Sequence, residues 1–144
     1  MATVRDVLAQ KGHVVHGIEA DVSVREAVRI MAEHNIGALV VRDGGKLVGI
    51  VTERDYARKI VLKGRTSTGT LVREIMETRV VVVDPSQTVE ECMAIMTARA
   101  VRHLPAIDDG QLVGIVSIGD MVKSIIADQQ FIIEQLERYI HGAR

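Results

Sequence analysis

The sequence contains little cysteine, few aromatic side chains and almost no net charge. Its 144 residues include one cysteine, no tryptophan, two tyrosines and one phenylalanine. A single cysteine excludes a disulfide bond within the chain and fits a reducing compartment. Because the formal net charge is -1, we expect no general attraction to nucleic acid or to an anionic membrane. The scarcity of aromatic rings also removes the stacking surfaces that single-strand binders use.

Long apolar runs are also missing. Residues 1–12 carry three charged side chains and do not resemble a signal peptide. No stretch approaches the ~20 uninterrupted apolar residues that a membrane span needs. We therefore expect a cytoplasmic protein whose partners include neither a membrane nor a nucleic acid.

What the sequence does contain is an internal repeat at an offset of 65 residues. Residues 24–60 align with residues 89–125 without a gap, and 14 of these 37 pairs are identical. The densest block is KLVGIVTERD at 46–55 against QLVGIVSIGD at 111–120. This duplication predicts two copies of one structural unit, each of which is too small to fold easily alone.

The periodicity of each copy predicts a small mixed structure. Apolar residues at helical spacing predict a helix over 24–34 and another that begins near Val89. In each copy, two β-rich runs around a short glycine-containing turn predict a hairpin. Each long helix is preceded by a capping box: Ser23 with Glu26, and Thr88 with Glu91. Further strands are predicted over 13–18 and 79–84, and short amphipathic segments over 4–8 and 72–76.

The predicted fold class is α/β (α+β), with two β-α-β-β-α repeats packed sheet to sheet in pseudo-two-fold symmetry and a long C-terminal helix. Its predicted divisions are a first repeat (1–62), a polar linker (63–70), a second repeat (71–126) and a helical extension (127–144). The apolar stripe of the helix predicted over 118–141 needs a cover. A second subunit in a symmetric homodimer would provide one, and folding back on the same chain is the alternative.

One motif, G-h-h-[ST]-x-x-D, occurs in register in both copies, at 49–55 and at 114–120. Together with the duplication and the element order, it makes the chain resemble a tandem CBS (cystathionine-β-synthase-type) domain pair of the stand-alone bacterial type. The resemblance extends from about Val4 to Ile126. It implies a regulatory module for signal transduction or energy sensing that binds an adenosine nucleotide, namely AMP, ATP or NAD(H). It also implies an unknown downstream protein as partner.

The chemistry of the motif suits a nucleotide. Thr52 and Asp55 in the first copy, like Ser117 and Asp120 in the second, fall where a strand is predicted to end and a helix to begin. A carboxylate there can accept two hydrogen bonds from a ribose diol, and the hydroxyl can donate to ribose or phosphate. The alternative is simple helix capping, which T-x-x-D and S-x-x-D patterns also serve and which can coexist with ligand binding.

The resemblance further implies unequal clefts. In the family, the phosphate of a nucleotide held by one copy often meets basic residues just before the second strand of the other copy. Those residues are Arg102 and His103 in the second copy, but Gly37 and Ala38 in the first. The cleft of Asp55 is therefore expected to prefer the more highly charged ligand end.

Further residues complete the predicted nucleotide site. The adenine ring is expected in a flat apolar slot, although plain core packing is the alternative for its residues. The slot candidates include His16, Ile18, Leu39, Val80, Val81, Leu104 and Pro105. Arg54 and Arg58 follow the first motif and could reach a diphosphate, with a solvated helix face as the alternative.

An enzyme is the main competing class. The only thiol, Cys92, falls on a predicted buried helix face, which indicates a structural role. The five histidines lack H-x-x-x-H and H-E-x-x-H spacing, and the sequence has neither a P-loop nor G-x-G-x-x-G. We therefore predict no catalytic residue and no metal requirement. A third class, a protein-interaction scaffold with empty clefts, is disfavoured by Asp55 and Asp120.

Overall fold

The computed structural model describes residues 1–142. In chain order its elements are α1 (Val4–Lys11), β1 (Gly17–Glu19), α2 (Val24–His34), β2 (Ala38–Asp43), β3 (Lys46–Thr52), α3 (Glu53–Tyr56), α4 (Val89–Arg99), β4 (His103–Asp108), β5 (Gln111–Ser117) and α5 (Ile118–Gly142). A π-helical turn (Ala57–Val61) extends α3, and a 3-10 turn (Val72–Glu74) lies between α3 and α4 in the chain. These elements confirm the predicted mixed α and β class.

The described residues form two compact units. The central unit comprises residues 14–81, and the terminal unit comprises residues 1–13 and 82–142. Helix α1 thus belongs with the second sequence repeat, and it contacts β5 and α5. The compact units therefore divide the chain differently from the sequence repeats.

Each unit contains a small sheet built on the predicted hairpin. In the central unit β1 runs parallel to β2, which pairs antiparallel with β3. In the terminal unit β4 pairs antiparallel with β5. Both hairpin turns have two central residues with positive φ, as the tight turns that match strand twist require. These are Gly44 at 59° and Gly45 at 85°, and Asp109 at 50° and Gly110 at 75°.

The prediction of a strand over 79–84 is wrong. Within that segment only Val83 pairs, through an isolated parallel bridge to Ala106. The chain's only two prolines explain the loss. In the central unit the Val40 N–H donates to the His16 carbonyl at 3.2 Å, and the Ala20 N–H donates to Arg42 at 3.0 Å. The counterparts of the two donors, 65 residues on, are Pro105 and Pro85, which have no N–H to donate.

The long helices form where predicted, but one capping box is incomplete. At α4, Thr88 and Glu91 exchange both bonds. At α2, Ser23 Oγ accepts from the Glu26 N–H at 3.3 Å, whereas the Glu26 carboxylate turns to the Arg29 guanidinium. A charged partner one turn away outcompetes the backbone amide in this case.

The core of the central unit lies between its sheet and α2. The polar segment 63–70 closes this core at one end, because the carbonyls of Thr70 and Ser67 accept the first N–H groups of α2, from Val24 and Arg25. Thr70 itself is buried. The core residues are Ile18, Ala20, Val24, Ala27, Met31, Leu39, Val41, Val51, Ile60, Val72 and Ile75.

In the terminal unit the buried side chains come from α1, α4, both strands, the start of α5 and the segment at Val83. Leu8 of α1 lies directly over Gly114 of β5, where an added Cβ would come 2.5 Å from a Leu8 methyl. Cys92 is buried on α4, as predicted. The buried apolar side chains of the unit are Val4, Val7, Leu8, Val83, Val89, Cys92, Met96, Leu104, Ala106, Val116 and Met121.

The apolar stripe of α5 remains exposed along most of its length. Only Met121, in its first turn, is buried. Folding back on the same chain, the alternative to a second subunit, does not cover the stripe within residues 1–142, because α1 and α4 contact α5 but leave these side chains exposed. The exposed large side chains are Ile118, Val122, Ile126, Phe131, Ile132, Ile133, Leu136, Tyr139 and Ile140.

Candidate functional site

The first corner, residues 52–55, lies where β3 ends and α3 begins. The Thr52 N–H donates to Asp55 Oδ2 at 2.9 Å, and the Thr52 hydroxyl donates to the same oxygen at 3.1 Å. The Asp55 N–H donates back to Thr52 Oγ1 at 3.2 Å. The predicted capping role of this pair is therefore realised, and it fixes the carboxylate of a residue that is only 7% exposed.

The second corner, residues 117–120, repeats this geometry where β5 ends and α5 begins. The Ser117 N–H donates to Asp120 Oδ2 at 2.8 Å, and the Asp120 N–H donates to Ser117 Oγ at 3.2 Å. Asp120 is half-buried. Both aspartates of the repeated motif thus occupy the same place relative to strand and helix.

A lysine neutralises the carboxylate of the first corner. Lys59 Nζ lies 3.1 Å from Asp55 Oδ1, 3.2 Å from Glu77 Oε2 and 2.8 Å from the Ile75 carbonyl. Burial alone would lower the pKa of Lys59, but the hydrogen bonds to Asp55 and Glu77 outweigh it and raise that pKa. The ammonium is therefore held firmly in its charged form.

A different lysine neutralises the second corner. Lys11, in the last turn of α1, places Nζ 2.7 Å from Asp120 Oδ2 and 2.8 Å from the Ile115 carbonyl. Burial would raise the pKa of Asp120, but the Lys11 ammonium and the Ser117 N–H outweigh burial and lower it. Asp120 is therefore a carboxylate, and so an acceptor, at neutral pH.

The second corner opens onto a cavity between α1 and α5. Its volume is about 510 Å³, which is within the range of small-molecule sites. Both members of the Lys11–Asp120 pair line the cavity, so its wall offers a donor and an acceptor side by side. The other lining residues are Ala2, Asp6, Val7, Gln10, Lys123, Ser124, Ala127 and Asp128.

In the central unit, the structure brings several predicted site residues to the first corner. The Glu53 N–H donates to the Gly37 carbonyl at 3.1 Å, and Ala38 is opposite Thr52 in the β2–β3 register. Ile18 and Leu39 are core residues, which agrees with plain core packing, the alternative to a role in the adenine slot. Their neighbours vary in exposure: His16, Arg54, Val80 and Val81 are half-buried, and Arg58 is exposed.

In the terminal unit, the predicted phosphate-binding residues adjoin the second corner. The Ile118 N–H donates to the Arg102 carbonyl at 2.9 Å, and His103 is opposite Ser117 in the β4–β5 register. Leu104 and Pro105 are buried. The expectation that Arg102 and His103 serve a nucleotide held by Asp55 stays a prediction, because it joins residues of different units.

Sequence reasoning missed both lysines. Lys59 could have been found, because it follows Asp55 by four residues on a predicted helix, the spacing of a helical ion pair. The sequence gives no such signal for the pairing of Lys11 with Asp120, because the two residues are 109 positions apart. The first glycine of the motif has a packing role, because a Cβ on Gly49 would come 2.8 Å from the Glu77 carbonyl oxygen.

Two kinds of feature are absent from the described part of the chain. Across residues 1–142, no three histidine, cysteine or acidic side chains gather in a way that could hold a metal ion. None of the helices in the same residues combines the length and apolar character of a membrane span.

Comparisons with known proteins agree with the repeated architecture. The family model for the CBS domain matches twice, at residues 4–62 and 72–127. The CBS domain-containing protein CBSX3 of Arabidopsis thaliana, a mitochondrial protein, is 40% identical over 97% of this chain and 72% of its own length.

Solved structures show the same likeness. A protein with CBS domains from Burkholderia ambifaria MC40-6 is 50% identical, with a TM-score of 0.86 over 89% of this chain and 96% of that one. The CBS domain pair of protein MJ0100, solved in complex with 5′-methylthioadenosine and S-adenosyl-L-methionine, is 28% identical. Its TM-score is 0.77 over 89% of this chain and 98% of that one.

Proposed function

We propose that this chain, which belongs to the CBS domain family, is a regulatory module that binds an adenosine nucleotide such as AMP, ATP or NAD(H). The main support is the pair of matched corners, in which Asp55 and Asp120 are fixed at equivalent strand-to-helix junctions. In this proposal, each carboxylate accepts hydrogen bonds from a ribose diol. The adenosine-containing ligands of the MJ0100 domain pair support this ligand class.

Helix capping does not compete with this proposal. The capping bonds of both corners end on Oδ2 of the aspartate, and a carboxylate has about four acceptor positions. Capping fixes the orientation of the carboxylate before any ligand arrives, which lowers the ordering cost of binding. The same bonds thus serve the fold and prepare the site.

A nucleotide panel tests the proposal. We expect AMP, ATP, NADH or S-adenosylmethionine to raise the melting temperature of the full chain without being consumed, because a ligand that binds only the folded state stabilises it. In calorimetry, Asp55→Ala combined with Asp120→Ala should weaken binding by about 1.5–3 kcal/mol, the value of hydrogen bonds to a charged group. Glu134→Ala, an exposed carboxylate change on α5 outside the cavity, is the control.

The other function classes correspond to other results of the same panel. Turnover of a nucleotide would indicate a small nucleotide-processing enzyme. If no nucleotide shifted the melting temperature, a protein-interaction scaffold would replace the sensor. Unchanged affinity in the double variant would reject the ribose role of the two aspartates.

We also propose that the module is a homodimer formed through α5, which then acts on a downstream protein. Helix α5 has 25 residues, and its exposed Val122, Ile126, Ile133, Leu136 and Ile140 follow the alternating spacing of three and four, with Gln129 in the remaining position. This pattern is the seam of paired helices. A second copy of α5 offers the same seam, as a symmetric dimer requires.

A further inference from the structure

We infer that the two corners fill in a fixed order, with a nucleoside entering the second corner before the first, because Lys59 is already bonded to the one oxygen of Asp55 that the capping bonds leave. This inference rests on the proposed function, since it assumes that the corner aspartates bind ribose. It adds the relative affinities of the two sites and names Lys11 as a ligand-binding residue.

At the first corner both carboxylate oxygens are engaged. Oδ2 of Asp55 accepts from the N–H and the hydroxyl of Thr52, and Oδ1 is 3.1 Å from Lys59 Nζ. Each of the three donors of that ammonium has an acceptor, since Glu77 and the Ile75 carbonyl take the other two. A ribose diol must therefore either share Oδ1 with this fully bonded lysine or displace it.

At the second corner the pair is incomplete. The hydrogen bonds from Ser117 and Lys11 both end on Oδ2 of Asp120, which leaves Oδ1 as an acceptor. Lys11 has two acceptors for its three N–H donors, Asp120 and the Ile115 carbonyl. A sugar hydroxyl can therefore donate to Asp120 Oδ1 and accept from Lys11 without breaking an existing bond. Both groups line the 510 Å³ cavity, which gives a nucleoside room beside them.

The asymmetry does not come from the duplication itself. At an offset of 65 residues, Lys59 corresponds to Ser124, Lys11 to Met76 and Glu77 to Gly12. Neither lysine thus has a counterpart in the other copy, and only the first corner has the extra carboxylate that saturates its lysine. The two sites are therefore expected to differ in affinity although their motifs match.

Calorimetry of the full chain with adenosine tests the order, because adenosine has no phosphate to favour a basic cleft. We expect Asp120→Ala to weaken the tightest binding event by about tenfold or more and Asp55→Ala to leave it unchanged. Lys59→Met should strengthen binding at the first corner by about tenfold or more, and Lys11→Met should weaken the tight event by about tenfold, as hydrogen bonds to charged groups imply. Lys63→Met, an exposed lysine change, is the control and should alter neither event.

An NMR titration of the unaltered protein gives the order without any substitution. The Ser117 amide should shift at low adenosine concentration and the Thr52 amide only at higher concentration. The order is overturned if Thr52 responds first, if Asp55→Ala removes the tight event, or if Lys59→Met leaves binding unchanged. Binding in the reverse order would reject only this inference. The absence of any adenine-ligand binding, in the unaltered chain and in Lys59→Met, would reject the proposed function as well.

Discussion

Lys11 and Asp120 form a 2.7 Å ion pair that joins the last turn of α1 to the first turn of α5. The same ammonium is bonded to the Ile115 carbonyl of β5, so one side chain links three elements of the terminal unit. A ribose that binds Asp120 would share this lysine with the protein. Such binding would thereby be coupled to the position of α1.

The first prediction concerns acid stability. Asp120 has a lowered pKa in the folded protein, so its contribution to the free energy of unfolding is complete above the ordinary Asp pKa of 3.8. It is lost as the pH falls through the lower pKa of the folded state, because the proton then binds both states equally. In urea unfolding, the stability difference between the unaltered protein and Asp120→Asn should shrink from pH 7 to pH 3.

Gln130→Ala, which changes an exposed and non-titratable side chain of α5, is the control for that measurement. Its stability difference from the unaltered protein should stay nearly constant over the same pH range. A gap for Asp120→Asn that is equal at pH 7 and pH 3 would show that the Lys11 pair does not stabilise the fold.

The second prediction compares three glycine-to-alanine changes. At Gly49 a Cβ would meet the Glu77 backbone oxygen at 2.8 Å, and this oxygen cannot move without breaking the bridge to Ile50. Gly49→Ala should destabilise the protein by about 1–3 kcal/mol, as overpacking does. Gly114→Ala meets only the movable end of Leu8 and should cost less.

Gly119→Ala should change the stability of the protein in the opposite direction. Its Cβ would make only an ordinary 3.6 Å contact with Ser117 Oγ in the first turn of α5. Alanine has the higher helix propensity, so this change should stabilise by up to about 1 kcal/mol. Chemical denaturation of the three variants measures the order, and equal effects at Gly49 and Gly119 would refute the packing role of the motif glycine.

Local sequence signals predicted the hairpins and the long helices well, because each depends on a few adjacent residues. Asp43 with two glycines specifies a tight turn, and Thr88 with Glu91 specifies a helix start. The missing strand at 79–84 depended on Pro105, which is remote in sequence, so four consecutive valines were misleading. The same limit applies to the site: the corners follow from one motif, whereas Lys11 reaches Asp120 only after folding.

The third prediction concerns the end of α4. Ala100 has a left-handed backbone, with φ 53° and ψ 42°, at the position where the first repeat has Asn35 with φ 53° and ψ 49°. Alanine is strained in this region, whereas glycine is not. Ala100→Gly should therefore stabilise the protein by about 0.5–1 kcal/mol, measured by urea unfolding. Asn35→Gly, where asparagine already tolerates the conformation, should change stability much less, and a destabilised Ala100→Gly would refute the strain.

The last prediction tests the exposed seam of α5. Ile133 lies at its centre and is 49% exposed, so Ile133→Glu removes apolar contact from a helix pair without disturbing a core. Burying the unpaired carboxylates of two such residues against each other would be strongly unfavourable. We expect the unaltered chain to sediment as a dimer and Ile133→Glu to shift the equilibrium to monomer.

Gln130→Glu, which adds the same charge on the same helix outside the seam, is the matched control and should leave the dimer intact. Circular dichroism should show equal helix content in both variants, because α5 has its hydrogen bonds within itself. A dimer that persists in Ile133→Glu would place the interface elsewhere, and a monomeric unaltered chain would leave α5 to a different partner. Both variants add one negative charge to α5, but only Ile133→Glu changes a residue of the seam. A loss of the dimer in that variant alone would therefore show that the seam forms the interface.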